Sequence, residues 1–287
     1  MAATVHTEGN VFIKTNTMDR INKEANVYHV LEQLQFLGAP RFFSTDTISD
    51  PIGMKRLRIE KLKCSLYNMY GHGRVDNGSG IDKKHYDKNE PPISSLPIHE
   101  FFDVAYQLVL ILAFLHDKMG YAHRDIKTDN ICIDREGYVC VVDYEFACPI
   151  ADCGERSLGT RIYAAPEVMN SGAWTRQYGG GLPYTEKVDI WSYGVTLIEL
   201  FCGLDFDSTS VCLMDQERVD QRIDKLMSRR LSQSSEIQHA DAVSLVKSCL
   251  CVYWPRRTSA RELAMSSVFI ANISQSRRRD LEARFKY

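Results

Sequence analysis

Between residues 123 and 130 the chain reads His123-Arg124-Asp125-Ile126-Lys127-Thr128-Asp129-Asn130, placing carboxylates, cations and an amide in one short window. Two β-like runs follow, Ile131-Cys132-Ile133 and residues 138–142, separated by Asp134-Arg135-Glu136-Gly137, a hairpin signal. That hairpin would return the chain so that Asp143, at the end of the second run, sits beside Asn130. Two oxygen donors on adjacent segments suit Mg²⁺, a hard cation that takes carboxylate, carbonyl, water and phosphate oxygens.

Groups placed in this way need elements to hold them, and the hydropathy pattern supplies several. Pro97 suits the first turn of a helix in which Phe101, Val104, Ala105, Leu108, Leu112 and Leu115 recur at mostly three- and four-residue steps. Gly120 can end it. Residues 188–201 and 240–252 read as two further apolar helices. Nearer the N-terminus, residues 11–13 and 57–62 are strand-like and residues 21–37 helix-like. Segments 71–97 and 170–183, rich in small and polar residues, read as exposed loops or insertions. A small mixed α/β piece thus precedes a larger, mainly helical one.

The window at 123–130 resembles the HRDxKxxN catalytic loop of eukaryotic-type protein kinases, with Ile126 where leucine is usual. The resemblance implies that Asp125 accepts the hydroxyl proton, Lys127 neutralises the transferring phosphoryl group, and Asn130 and Asp143 hold magnesium. Asp143-Tyr144-Glu145 stands where these kinases carry DFG. Glu145 in place of glycine is expected to restrict flipping of the segment, and its carboxylate to disturb or join the metal site. Ala165-Pro166-Glu167 resembles the APE end of the activation segment, and Asp189-Ile190-Trp191-Ser192-Tyr193-Gly194 the DxWxxG helix start. Arg257 matches the late arginine that pairs with the APE glutamate. Lys127 with Thr160 is the pattern of kinases that phosphorylate Ser or Thr. Arg124 implies a basic pocket for an activation-segment phosphate, with Ser157 the nearest acceptor and Glu155 a permanent charge in its stead.

Val11-Phe12-Ile13-Lys14 is similar to the VAIK strand, whose lysine holds the α- and β-phosphates of ATP, and Glu24 is its expected helix partner. Glu24 shares a face with Tyr28 and Leu31. Ile59 then falls at the gatekeeper position, and Glu60 and Leu62 would offer backbone groups to adenine. These kinases also cover the phosphates with a GxGxxG loop on two strands before the lysine strand. The thirteen residues before Lys14 hold only Gly9, so this lobe reads as reduced and ATP affinity as weakened. The VFIK form, the ten-residue step from Lys14 to Glu24, the run 57–70 and Asp125-Ile126-Lys127-Thr128 are similar to herpesvirus serine/threonine kinases.

Lys and Arg number 35 against 37 Asp and Glu, a near-neutral balance that argues against a nucleic-acid-coating role. The best apolar run, residues 104–115, is too short for a bilayer crossing of roughly 20 residues. No membrane partner is expected. Nine cysteines without a CxxC favour reduced thiols inside the cell, in the cytoplasm or nucleus of a host cell if the protein is viral. The expectation is an α+β, two-lobed protein kinase-like fold, with a reduced N-terminal β-lobe and hinge over 1–62 and a helical C-terminal lobe over 63–287. The kinase domain would run from about 11 to 269. Its expected activity is transfer of the γ-phosphoryl group of Mg-ATP to Ser or Thr hydroxyls of protein substrates. The alternative is an impaired pseudokinase that acts as a scaffold for a partner kinase.

Overall fold

The computed structural model describes residues 3–49, 52–70, 95–153, 159–169, 185–203, 215–228 and 235–287. The expected insertion at 170–183 and most of that at 71–97 lie outside these residues, as do Glu155 and Ser157.

Strand β1 (Thr4–Glu8) turns at Gly9, where φ is +57°, into β2 (Val11–Thr17). Glycine adopts that left-handed conformation without a Cβ penalty. Helix α1 (Met18–Gln33) follows, then β3 (Phe42–Thr47) and β4 (Met54–Glu60). The four strands form one antiparallel sheet in the order β1-β2-β4-β3, with Lys14 opposite Val5 on one side and Leu57 on the other. Helix α1 buries Ile21, Ala25, Tyr28 and Leu31, and Glu24 is buried in the same row.

Strand β5 (Cys64–Ser65) and helix α2 (Leu66–Tyr70) lead into the helical part. Its central helix, α3 (Ile98–Ala113), continues as a π-helical turn over Phe114–Met119 and ends at Gly120, φ +71°. Strands β6 (Tyr121–Ala122), β7 (Ile131–Ile133), β8 (Val139–Val141) and β9 (Cys148–Pro149) are short. They carry the 123–143 segment between them, and β7 pairs antiparallel with β8 as the hairpin signal predicts. Helices α4 (Pro166–Met169), α5 (Lys187–Cys202), α6 (Gln216–Met227), α7 (Glu236–Cys249), α8 (Ala260–Ala264), α9 (Ser267–Asn272) and α10 (Gln275–Arg284) complete the larger lobe. The architecture is α+β and two-lobed.

Two expectations change. The apolar helix is longer than its best run: with the π-helical turn it spans 22 residues, enough by length and composition to cross a membrane. It is the core helix instead. Phe101, Ala105, Leu108 and Leu112 are fully buried, and the polar groups inside the run are satisfied internally. Tyr106 donates to Glu282 at 2.6 Å, and Gln107 accepts from the Val139 N–H at 2.9 Å. Second, not all described cysteines are reduced. Cys148 and Cys153 form a disulfide across a Cα separation of 5.5 Å, because the turn after β9 folds back on the strand. A five-residue spacing outside any CxxC gives no sequence signal for it.

Candidate active site

The 123–130 segment is held from below by Asp189, in the first turn of α5. Its carboxylate accepts from His116 Nε2 at 2.9 Å and from the backbone N–H groups of His123 and Arg124 at 2.7 Å each. Burial pushes this carboxyl up, but the hydrogen bond and charge of His116 outweigh it and hold the group below its usual range. Arg124 has φ +71°, a costly conformation for a side-chain-bearing residue, and the Asp189 contact fixes it.

Asp125 is thereby presented with four polar neighbours. It lies 2.9 Å from Lys127 Nζ and accepts from Asn130 Nδ2 at 2.9 Å, from the Thr160 N–H at 2.9 Å and from Thr160 Oγ1 at 2.8 Å. Lys127 Nζ in turn donates to Thr160 Oγ1 at 2.8 Å. Burial raises the Asp125 carboxyl, yet the Lys127 charge and the bonds from Lys127 and Thr160 lower it further than burial lifts it. The group is ionised through the neutral range and able to take a proton. It lines a small recess with Thr160, Tyr163, Ala164 and Val168.

Gly159 makes the approach of Thr160 possible. Its φ is +91°, and a Cβ there would collide with the Arg124 carbonyl oxygen. Gly159→Ala is therefore expected to destabilise the protein by about 1–3 kcal/mol and to displace Thr160 from Asp125. A urea melt together with an initial-rate assay checks both effects.

On the sheet side, Lys14 Nζ donates to Glu24 Oε2 at 2.9 Å and to Asp143 Oδ1 at 2.6 Å. Burial opposes the lysine charge, but the Glu24 and Asp143 carboxylates overcome it and hold Lys14 protonated above its ordinary value. Burial pushes the Glu24 carboxyl up to about 7, against the pull of Lys14. A cavity of about 450 Å³ opens between the sheet and the helical lobe, with Lys14, Ile59, Leu62, Asn130 and Asp143 in its wall. Glu60 also lines it, with its N–H donated to the Arg41 carbonyl at 2.8 Å.

Asn130 donates through Nδ2 to the Asp125 backbone oxygen at 2.8 Å as well as to its carboxylate, which leaves Oδ1 facing the other way. Its backbone oxygen accepts from the Val142 N–H at 2.9 Å, tying it to the strand end that carries Asp143. Asp143, at φ +64°, donates its N–H to Tyr28 Oη at 3.3 Å. Tyr144 packs edge-on against the Tyr28 and His123 rings, with centroids 5.1 and 4.9 Å away. A carboxylate and an amide oxygen on adjacent segments are a donor set that fits Mg²⁺.

A lysine–glutamate pair in a sheet lobe, facing a loop with a paired aspartate and lysine and an Asp/Asn oxygen pair in a helical lobe across a cleft, defines the kinase fold class. The protein kinase domain matches residues 81–269, and the chain belongs to the protein kinase family. It is 28% identical to serine/threonine-protein kinase CLA4 of Eremothecium gossypii over 203 residues, 68% of this chain and 22% of that protein. It is 30% identical to serine/threonine-protein kinase ppk16 of Schizosaccharomyces pombe over 175 residues, 59% of the chain and 23% of the relative. With human testis-specific serine/threonine-protein kinase 1 the identity is 32% over 136 residues, covering 44% and 34%. The matches thus span about a third or less of these relatives' lengths.

The structure brings every expected site residue to this cleft: Lys14, Glu24, Ile59, Glu60, Leu62, Asn130 and Asp143 at the cavity, and Asp125 with Lys127 beside it. Three supporting residues carried no role in the sequence reading. Asp189 was legible only as part of a helix start, and Asn16 and Arg20 gave no signal at all.

Proposed function

We propose that the chain is a serine/threonine protein kinase that transfers the γ-phosphoryl group of Mg-ATP to hydroxyls of protein substrates. The observation that carries this reading is the Lys127–Thr160–Asp125 cluster at 2.8–2.9 Å, an ionised carboxylate and a neutralising ammonium at one edge of the cleft. Asn130 and Asp143 would hold magnesium, which would supply charge neutralisation for the phosphates. Lys14 orients the α- and β-phosphates, steadied by Glu24. The adenine packs between Phe12 and Leu57 of the sheet and Cys132 and Val142 of the helical lobe, beside the 59–62 segment, where Ile59 limits depth and Glu60 and Leu62 supply backbone groups. Asp125 orients the acceptor hydroxyl and takes its proton as the new P–O bond forms and the bond to ADP breaks. Lys127 offsets the charge of the moving phosphoryl group. Positioning and charge do most of the work, since this chemistry asks little covalent participation of a protein.

The proposed organisation keeps 1–62 as the nucleotide-holding lobe and hinge and 63–287 as the catalytic lobe. The proposed grouping with herpesvirus serine/threonine kinases, and with it action inside a host cell, is supported by the Val11–Lys14 string and the short step to Glu24. A second reading, a scaffold that engages a partner kinase, is favoured by one observation. Among the described residues no GxGxxG turn stands over the cavity, whose roof is formed by Val5 and Thr7 of β1.

Purified protein incubated with Mg²⁺ and ATP labelled on its γ-phosphorus, with a mixed protein substrate, separates the readings. Label in phosphoserine and phosphothreonine is expected. Label confined to phosphotyrosine would overturn the specificity. No transfer, with no thermal shift on adding Mg-ATP, would favour the scaffold.

A further inference from the structure

Glu145 does not behave as a defect in the site. Its side chain is only 10% exposed, and it is gripped from two other elements. Oε1 accepts from Arg20 Nη1 at 2.7 Å, and Oε2 accepts from Asn16 Nδ2 at 3.1 Å and lies 3.0 Å from Lys14 Nζ. Its backbone sits in a single 3-10 turn, Tyr144–Phe146, and does not have positive φ, so no glycine is required in this conformation.

The grip has a regular plan. Strand β2 supplies Lys14 to the site and Asn16, two residues on and therefore on the same face, to Glu145. Helix α1 supplies Glu24 to Lys14 and Arg20, one turn earlier on the same helical face, to Glu145. The turn supplies Asp143 and Glu145 to Lys14, and Glu145 also to the other two. Each of three elements thus contributes one residue to the site and one to a second layer beside it. Asn16 is 1% exposed, so its amide is fixed in the layer and not a solvated contact.

We propose that Glu145 is a positioning residue: with Arg20 and Asn16 it clamps α1 and β2 to the turn behind Asp143, and so keeps the Lys14–Glu24 pair assembled for the nucleotide. The proposal rests on the kinase reading of the cleft and assigns that site a chain-specific support. In kinases that carry glycine at this position no side chain is there to do it. The clamp sets where Lys14 stands and leaves the acceptor side untouched.

The test is steady-state kinetics on the full chain, with Glu145→Gly, Arg20→Ala, Arg20→Lys and the double variant Glu145→Gly/Arg20→Ala. Glu145→Gly and Arg20→Ala are each expected to lower kcat/KM for Mg-ATP about two- to fivefold, the scale of an ion pair with one exposed partner. The loss should fall mainly on KM for Mg-ATP, with KM for the protein substrate unchanged. The double variant should be no worse than Glu145→Gly alone, and Arg20→Lys should recover most of the loss of Arg20→Ala. A Glu145→Gly protein as active as wild type or more so would overturn the clamp and mark Glu145 as a competitor for Lys14. Strictly multiplicative losses in the double variant would also overturn it. A wild-type chain that binds Mg-ATP but transfers nothing would overturn only the enzyme reading, because the clamp is then read as the same two- to fivefold change in Mg-ATP affinity by calorimetry. A wild-type chain that does not bind Mg-ATP overturns both.

Discussion

Asp125→Asn is expected to cut the rate of phosphoryl transfer by roughly 10²–10⁴-fold, the range for loss of a positioned acid–base group. Asparagine keeps the shape and can still accept from Thr160 through Oδ1. It loses the charge that Lys127 faces at 2.9 Å and the proton affinity the acceptor hydroxyl needs. Its own Nδ2 would point at Asn130 Nδ2, which now donates to Asp125 at 2.9 Å, so one buried donor is left facing another. That mismatch costs about 1–3 kcal/mol of stability, a shift in melting temperature and not loss of the fold. Circular dichroism and a thermal melt establish the folded state, and the γ-phosphate assay reads the rate. Undiminished transfer by a folded Asp125→Asn protein would refute the role given to this carboxylate.

The catalytic segment was legible because its chemistry is contiguous. Asp125, Lys127 and Asn130 fall within six residues, and the hairpin that brings Asp143 to them has its own turn signal in Asp134-Arg135-Glu136-Gly137. Strand β2 and helix α1 were legible as a strand-like apolar run at 11–13 and a helix-like stretch at 21–37, and the lysine–glutamate pair followed from the family resemblance. What stayed hidden depends on contacts between distant parts of the chain. Arg20 and Asn16 meet Glu145 across 125 and 129 residues, and no local pattern marks either as a partner. The extra carboxylate therefore read only as one that would disturb or join the metal site; in the fold it lies within 4.8 Å of the Asp143 and Glu24 carboxylates and also faces two cations and an amide. Asp189 shows the same limit. Its position at a helix start is visible, but its three acceptor contacts form only when α5 lies under residues 116–124. The disulfide depends on a single turn after β9 that carries neither periodicity nor a motif.

Arg257→Met is expected to destabilise the protein by about 3–5 kcal/mol, the cost of leaving a buried charge without its partner. Arg257 is 1% exposed and Glu167 is 3% exposed. The guanidinium grips both carboxylate oxygens, Nη1 to Oε1 at 2.7 Å and Nη2 to Oε2 at 3.0 Å. Two further donors go to the backbone oxygens of Lys187 at 2.7 Å and Cys251 at 3.0 Å, and its charged plane lies 5.1 Å from the centre of the Trp191 ring. One side chain thus joins the end of the activation segment, the start of α5 and the loop before α8. Methionine can fill much of the volume but satisfies none of these acceptors. The Glu167 carboxylate would then have to take up a proton or draw water into the core. If the cost is the stranded charge, Glu167→Leu introduced into the Arg257→Met protein should recover a large part of it, since the carboxylate leaves with its partner. If the cost lies in lost packing against Trp191 and the two backbone oxygens, the double variant will be at least as unstable as the single one. Urea melts of the two proteins decide between these causes, and a midpoint for Arg257→Met equal to wild type would show that the pair does not support the fold.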